Sequence, residues 1–444
     1  MDRTQEQLTD YCMASDFACL APDTVHRYER HLLDSLGCAL GALDAEPAAI
    51  ARRLAMAARG NPGARIFRHP EPTTLEMAAF ANGVLIRYLD FNDRLISGHP
   101  SDGLGALLAV AEVHGLSGRE LVAGLHVLYE VFGRLKPGLL RDRGWDQGTY
   151  LAVAVACAVA KLLGFSRQQT AETIAIAISD NVATRQARAG ELSTWKGCAT
   201  PNAARKGLFA ALLAGDGMRG PTRPFEGTHG LFEQVTGPFE LDLPAPGESP
   251  MIESADLKYF PVEGQAQGPA LAAMELRQIV PVDEIEAIDV EVYQFAWAEI
   301  ARDPAKWEPT SRETADHSLP YILATVLKHG TITPAHFAPE HLVDPWVRAL
   351  MPRIGVRPND EFTRRWPAEL PCRVTARTRD GRRHAVEVAR PRGHRTNPLS
   401  DDELLAKFEA LAAPVLAPEQ RRAVVDFAWS LPEQPRAAAL LDLL

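Results

Sequence analysis

Along the first half of the chain, apolar residues recur three and four positions apart, in runs separated by short polar breaks. "VHRYERHLLDSLGCALGAL", "LGALLAVAEVHGL", "ELVAGLHVLYEVFGRL", "TYLAVAVACAVAKLLGF", "QQTAETIAIAISDNV" and "NAARKGLFAALLAGDG" all show this rhythm. The spacing lines apolar side chains along one side of a helix, so residues 4 to about 235 are predicted to be helix after helix. Several runs open after Ser, Thr, Asp or Asn and close on Gly, the residues that satisfy free backbone groups at helix starts and stops. Many are rich in Ala and apolar on more than one face, which suits a large bundle rather than helices laid over a sheet.

The rhythm changes after "FELDLPAPGESPMIES", where Pro, Gly and Ser cluster as in connections between units. Beyond it "IEAIDVEVYQFA" alternates apolar and polar residues, and "CRVTARTRDGRRHAVEVARP" reads as two alternating strands joined at Asp380-Gly381. A helical piece near "HSLPYILATVLKHG" lies between them. Residues from about 265 to 395 therefore form a smaller α+β unit. From "NPLSDDELLAKFEAL" onward the pattern is helical again, with Ser400 and Glu403 spaced as a capping box, and this tail is expected to rejoin the helical part.

A chain of 444 residues exceeds one ordinary core, and 46% hydrophobic against 23% charged residues is the balance of a folded globular protein. A net charge of -10 argues against a nucleic-acid partner, which would call for a basic face, yet a few buried cations still suffice for an anionic metabolite. The six cysteines are scattered without CxxC pairs and are read as reduced thiols of a cytoplasmic protein. "MDRTQEQLTDYC" has no secretory character, and "LAVAVACAVAKLLGF" is too short to span a bilayer and carries Lys161, so it is expected to be a buried helix and no membrane is expected as a partner.

The chain has no GxGxxG after a strand, no GxxxxGK[ST], no HExxH and no GxSxG. An enzyme built on it is expected to use acid–base chemistry with no cofactor and no metal. Four segments set ionisable residues beside Gly or Pro in apolar surroundings. "YLDFNDRLISGHPSDG" holds Asp90, Asp93, Arg94 and His99; "RQARAGELSTWKGCATPNAARKG" holds Lys196 before a helix expected near Asn202. "LKYFPVEGQAQG" holds Lys258, Glu263 and Gln265, and "SRETADHSLPYILA" holds His317 and Tyr321. Taken singly, each reads more readily as a cap, a turn or a solvated loop than as a site. Pro320 suits the first turn of a helix starting near Ser318, with His317 just outside it.

Read in order, these segments, with "AAFANG", "GLSGRELVAGLHVLYEV", "PFEGTHGLFEQV" and "PRGHRTNPLSDDELLAKF", resemble the MmgE/PrpD family, and its MmgE-like branch most. That family includes 2-methylcitrate dehydratases, cis-aconitate decarboxylase and an iminodisuccinate epimerase. The resemblance implies a mainly α fold: an all-α domain of residues 1–262 and 396–444, and an α+β lid domain of residues 263–395. It also implies a homodimer with an active site between the domains. Carried over by position, it makes Asp90, His99, Lys196 and Tyr321 catalytic candidates, and Arg94, Lys258, Glu263, Gln265 and His317 candidates for binding a small carboxylate substrate. Dehydrating a β-hydroxy tricarboxylate requires a base, an acid and cations for the developing charge. Histidine suits the proton step, and Lys and Arg suit the carboxylates.

The departures fall within these segments. Where the pattern has Thr after "DFND", this chain has Arg94; "WDHVTY" becomes "GWDQGTY", placing Gln147 and Gly148; "PVEYHAQ" becomes "PVEGQAQ", placing Gly264 and Gln265. Glutamine hydrogen-bonds but exchanges no proton near neutral pH. Three readings follow: a dehydratase or hydratase of 2-methylcitrate or a related polycarboxylate; a relative repurposed for decarboxylation, epimerisation or cyclisation of another substrate; or a non-catalytic binder.

Overall fold

The computed structural model describes residues 1–444. The fold is mainly α with a smaller α+β unit, and two separate hydrophobic clusters mark the two parts. The first draws on residues between Leu8 and Leu257 and again between Leu399 and Leu444. The second runs from Phe260 to Val388.

The helices that build the first cluster are α1 (Pro22–Leu40), α2 (Leu75–Tyr88), α3 (Leu104–His114), α4 (Gly118–Arg134), α5 (Gly148–Leu162), α6 (Arg167–Ser179) and α7 (Ala199–Gly215). The all-round apolar α5 is the centre: every residue but Lys161 is buried, with α4, α6 and α7 packed around it. α7 approaches so closely that a Cβ on Gly207 would stand 2.2 Å from the Ala152 carbonyl oxygen, which only glycine permits. α7 starts at Ala199, three residues before the expected Asn202, so Lys196 sits in a 3-10 turn directly ahead of it. The tail contributes α10 (Asp401–Ala412), capped by Ser400 and Glu403 as expected and packed on α1.

In the second part α8 (Gln267–Ile279) and α9 (Leu319–His329) pack together, and α8 covers a four-stranded sheet. Its strands are β3 (Ile285–Val292), β4 (Ile354–Pro358), β5 (Cys372–Thr378) and β6 (Arg383–Val388), in the order β4-β3-β5-β6. β5 and β6 form the hairpin expected at Asp380-Gly381, with Gly381 at φ 85° and Val374 opposite Val386. The parallel pairing of β4 with β3 was not anticipated. Nor was a ladder inside the helical part, where β1 (Arg94–Leu95) pairs with β2 (Ala255–Asp256). That short ladder sets Arg94 directly opposite Asp256. No helix is long and apolar enough to cross a membrane.

Candidate active site

Between the two clusters lies a cleft enclosing about 610 Å³, lined by residues of both parts. Arg87, Asp90, Arg94, His99, Gln147 and Arg188 come from the helical part; Glu263, Gln265, Phe295, Glu299 and His317 come from the α+β unit, with Lys258 at the junction. α2 ends at Tyr88, and the chain then turns sharply at Asp90, whose φ is 50°. Aspartate tolerates this left-handed backbone better than most residues, and the conformation is held by what the carboxylate touches.

Those contacts are almost all cationic. Asp90 Oδ1 lies 2.5 Å from Arg87 Nη1 and 2.7 Å from Lys258 Nζ, while Oδ2 lies 3.3 Å from Lys196 Nζ. Lys258 also donates to the Asp90 carbonyl at 2.7 Å. Burial pushes the Asp90 pKa up, but Arg87, Lys196 and Lys258 outweigh it and hold the carboxyl well below the usual range. Lys196 is itself buried and donates to Asp316 Oδ1 at 2.6 Å; the same oxygen accepts from His317 Nδ1 at 2.6 Å. Asp90, Asp316 and His317 are spaced as metal ligands could be, yet the lysines already neutralise both carboxylates, which fits an ion-pair cluster better than a cation site.

Both histidines of the cleft are held as neutral imidazoles. His99 donates Nδ1–H to the Asp93 carbonyl at 2.5 Å, and its backbone N–H donates to Gln147 Oε1 at 2.9 Å. Burial, with Arg87 and Lys258 nearby, lowers its pKa well below the usual 6.5. His317 is lowered to about 3 by burial and by Lys196. With Nδ1 engaged in each ring, the free lone pair sits on Nε2. The loop carrying His99 is pinned from behind: Asp93 accepts from Ser101 Oγ at 2.5 Å and from Tyr129 OH at 2.7 Å.

Six cationic side chains line the cleft, Arg87, Arg94, Arg141, Arg185, Arg188 and Lys258, against four carboxyl groups, Asp90, Asp146, Glu263 and Glu299. Arg188 donates to Asp146 at 2.9 Å and keeps Nη2 without a partner. At the rim the two parts meet through Arg185 with Glu299 at 2.8 Å and through Arg141 over the Phe295 ring at 4.5 Å. Glu263, half-buried, accepts from the Gln265 backbone N–H at 2.6 Å, and burial raises its pKa to about 7.

Arg94, Gly264 and Gln265 prove to be one structural unit. Arg94 donates to Asp256 through Nε at 3.1 Å and Nη2 at 2.5 Å, and its Nη1 lies 3.4 Å from Gln265 Oε1, which also accepts from Tyr293. A Cβ at position 264 would stand 2.7 Å from Arg94 Cδ and 3.1 Å from Nη1, so the arginine occupies room that any larger residue there would claim.

Of the residues expected at the site, Asp90, Arg94, His99, Lys258, Glu263, Gln265 and His317 line the cleft, and Lys196 stands directly behind Asp90. Tyr321 does not reach it. Packed near Phe337 inside the second cluster, it donates its hydroxyl to the His336 carbonyl at 2.5 Å. Sequence reading missed Arg87, Arg141, Asp316 and Glu299. It also passed over Arg185 and Arg188, although "RQARAG" placed both beside Lys196.

Comparison with known proteins bears on this geometry. The MmgE/PrpD N-terminal domain matches residues 6–244, and the MmgE/PrpD C-terminal domain matches residues 260–431. The chain belongs to the MmgE/PrpD family. This MmgE/PrpD chain is 27% identical to the 2-methylcitrate dehydratase of Salmonella typhimurium over 457 residues, covering 96% of this chain and 93% of that one. It is 27% identical to the human cis-aconitate decarboxylase, covering 96% and 91%, and 28% identical to the alkylcitrate dehydratase phiI of a fungal species, covering 85% and 81%. With dehydratases and a decarboxylase as its relatives, this MmgE/PrpD chain is an enzyme of lyase type.

Proposed function

We propose that this enzyme dehydrates or hydrates 2-methylcitrate or a related small polycarboxylate, using only its own side chains. The observation that carries the reading is the cleft's composition: six cations converge on it beside the Nε2 atoms of two neutral histidines. Cations of this kind bind carboxylates and stabilise the charge that builds on a carboxylate when the adjacent C–H is deprotonated. His99 acts as base, with the Asp93 carbonyl fixing its tautomer. Arg188 and Lys258, which line the cleft, receive substrate carboxylates. Lys196 acts as a positioning residue that fixes Asp90 and Asp316. Relatives that are 2-methylcitrate and alkylcitrate dehydratases support this choice of substrate class.

The test is an NMR assay of the purified protein with 2-methylcitrate, citrate and cis-aconitate, beside a known dehydratase. Formation of 2-methyl-cis-aconitate is expected. A second reading has its own observation: Arg94 lies against Gly264 and Gln265, where the family pattern has Thr, an aromatic and His. A folded protein that turns over none of the three acids would sink the first reading and favour this one, a remodelled cleft for decarboxylation, epimerisation or cyclisation of another substrate. The reading also includes a homodimer, as the resemblance implies, and a cytoplasmic location, as the scattered cysteines suggest; sedimentation at monomer mass would remove the dimer.

A further inference from the structure

The two histidines leave a gap in the chemistry. With Nδ1–H donated to Asp93 and Asp316, both cleft-lining rings keep their lone pair on Nε2, so they supply bases. Elimination also needs an acid, because hydroxide is a poor leaving group until a proton reaches it. Tyr321 points elsewhere, and Gln147 and Gln265 exchange no protons. Three of the four carboxyl groups facing the cleft are ion-paired: Asp90 with Arg87 and Lys258, Asp146 with Arg188, Glu299 with Arg185. The fourth, Glu263, is in no ion pair; its carboxyl hydrogen-bonds only with Gln265, and the Lys258 charge nearby opposes its burial. Its Oε2 accepts the backbone N–H at 2.6 Å, and its Oε1 lies 3.5 Å from the side-chain amide.

We propose that Glu263 is the catalytic acid of this cleft, its Oε1 carrying the proton that leaves with the substrate hydroxyl. This rests on the lyase reading above and adds a role to it. His99 Nε2 takes the proton from carbon, the C–H electron pair becomes the C=C bond, the C–O bond breaks, and the departing oxygen takes the Glu263 proton to leave as water. The enzyme is then His99-protonated and Glu263-ionised, and one proton passing between them through solvent resets it. In hydration the same groups run in reverse. A pKa near 7 keeps a working fraction of Glu263 protonated at neutral pH.

The experiment compares wild type with Glu263→Gln, which preserves shape and removes the exchangeable proton. In deuterated water, E263Q is expected to keep His99-dependent exchange of the substrate C–H while losing elimination by about 10²- to 10⁴-fold. The fall in wild-type kcat as pH rises through about 7 should vanish in the variant. Elimination at the wild-type rate, or loss of exchange together with elimination, would overturn the assignment. Infrared titration provides a readout that needs no substrate: burial raises Asp102 to about 7 as well, so the signal is the carboxylic C=O component lost near neutral pH in wild type and missing from the same titration of E263Q. No difference between the two titrations would overturn the proposal even if no polycarboxylate is turned over; turnover failure alone strikes the substrate reading.

Discussion

Replacing Gly264 by Ala tests whether the altered positions around Arg94 act together. The added Cβ would stand 2.7 Å from Arg94 Cδ, whereas carbon atoms in contact settle at about 3.5 to 4.0 Å, so roughly an ångström of overlap must be relieved. Arg94 has little freedom to retreat, since Nε and Nη2 both bind Asp256 and its backbone pairs with the same residue across the β1–β2 ladder. If the guanidinium lets go, a charge-assisted bond worth about 1.5 to 3 kcal/mol is lost; if the turn at 264 shifts, overpacking costs about 1 to 3 kcal/mol. Either route predicts a destabilisation of about 1 to 3 kcal/mol for G264A. In an Arg94→Ala background the space is open, and the same change should cost less than about 0.5 kcal/mol. Urea unfolding of wild type, R94A, G264A and the double variant measures all four corners. Costs that simply add would refute the claim that Gly264 is glycine because Arg94 is arginine.

The remaining predictions address the groups around the cleft. Lys196→Ala leaves two buried carboxylates without their shared cation and should destabilise by about 3 to 5 kcal/mol, so an unchanged unfolding midpoint would return Lys196 to a solvated loop. Tyr321→Phe removes only a bond to the His336 carbonyl; kcat should stay within about twofold while stability falls by about 1 kcal/mol, and a large loss of kcat would restore Tyr321 to the reaction. His317 titrates near 3 when folded and near 6.5 when unfolded, so between these values the unfolded chain binds the extra proton and stability falls as pH drops. That contributes a slope of about 1.4 kcal/mol per pH unit, which His317→Asn should remove from the pH dependence of unfolding.

Features that repeat along the chain were readable; those that depend on distant segments meeting were not. The apolar rhythm located the helices because a buried face must recur every 3.6 residues, and α5, apolar all round, is buried all round. The β5–β6 hairpin was visible because its turn needs a positive φ that Asp380-Gly381 supplies locally. β1 and β2 are two residues each and lie some 160 positions apart, too short for a pattern and too far for a turn. Taken singly Lys196 read as a loop cation and only the resemblance made it a site residue; Asp90 and Asp316, from opposite directions in the chain, make its burial tolerable. Tyr321 erred differently. Its place in the chain was right, but packing near Phe337 directs the hydroxyl into the α+β core.

The departures from the family pattern looked like scattered changes and assemble in space into two contacts, each with a glycine as its permissive half. Gly264 leaves room for Arg94; a Cβ on Gly98 would stand 1.9 Å from Gln147 Oε1, the atom that accepts the His99 backbone N–H. In both, an arginine or glutamine reaches into space that a side chain would fill, and in both it bonds to something already in place, Asp256 or His99. A single-position change that leaves a cavity or a clash costs about 1 to 3 kcal/mol, a cost that a paired change avoids. Under the proposed reading His99 stays the neutral base and Glu263, which the family pattern shares, the acid, while the positions that depart from the pattern gather at Arg94, Gly264 and Gln265. On that argument substrate choice lies in the Arg94–Gly264–Gln265 wall and proton handling in His99 and Glu263, so variants of the wall should shift which acid is accepted while variants of the pair should shift the pH profile.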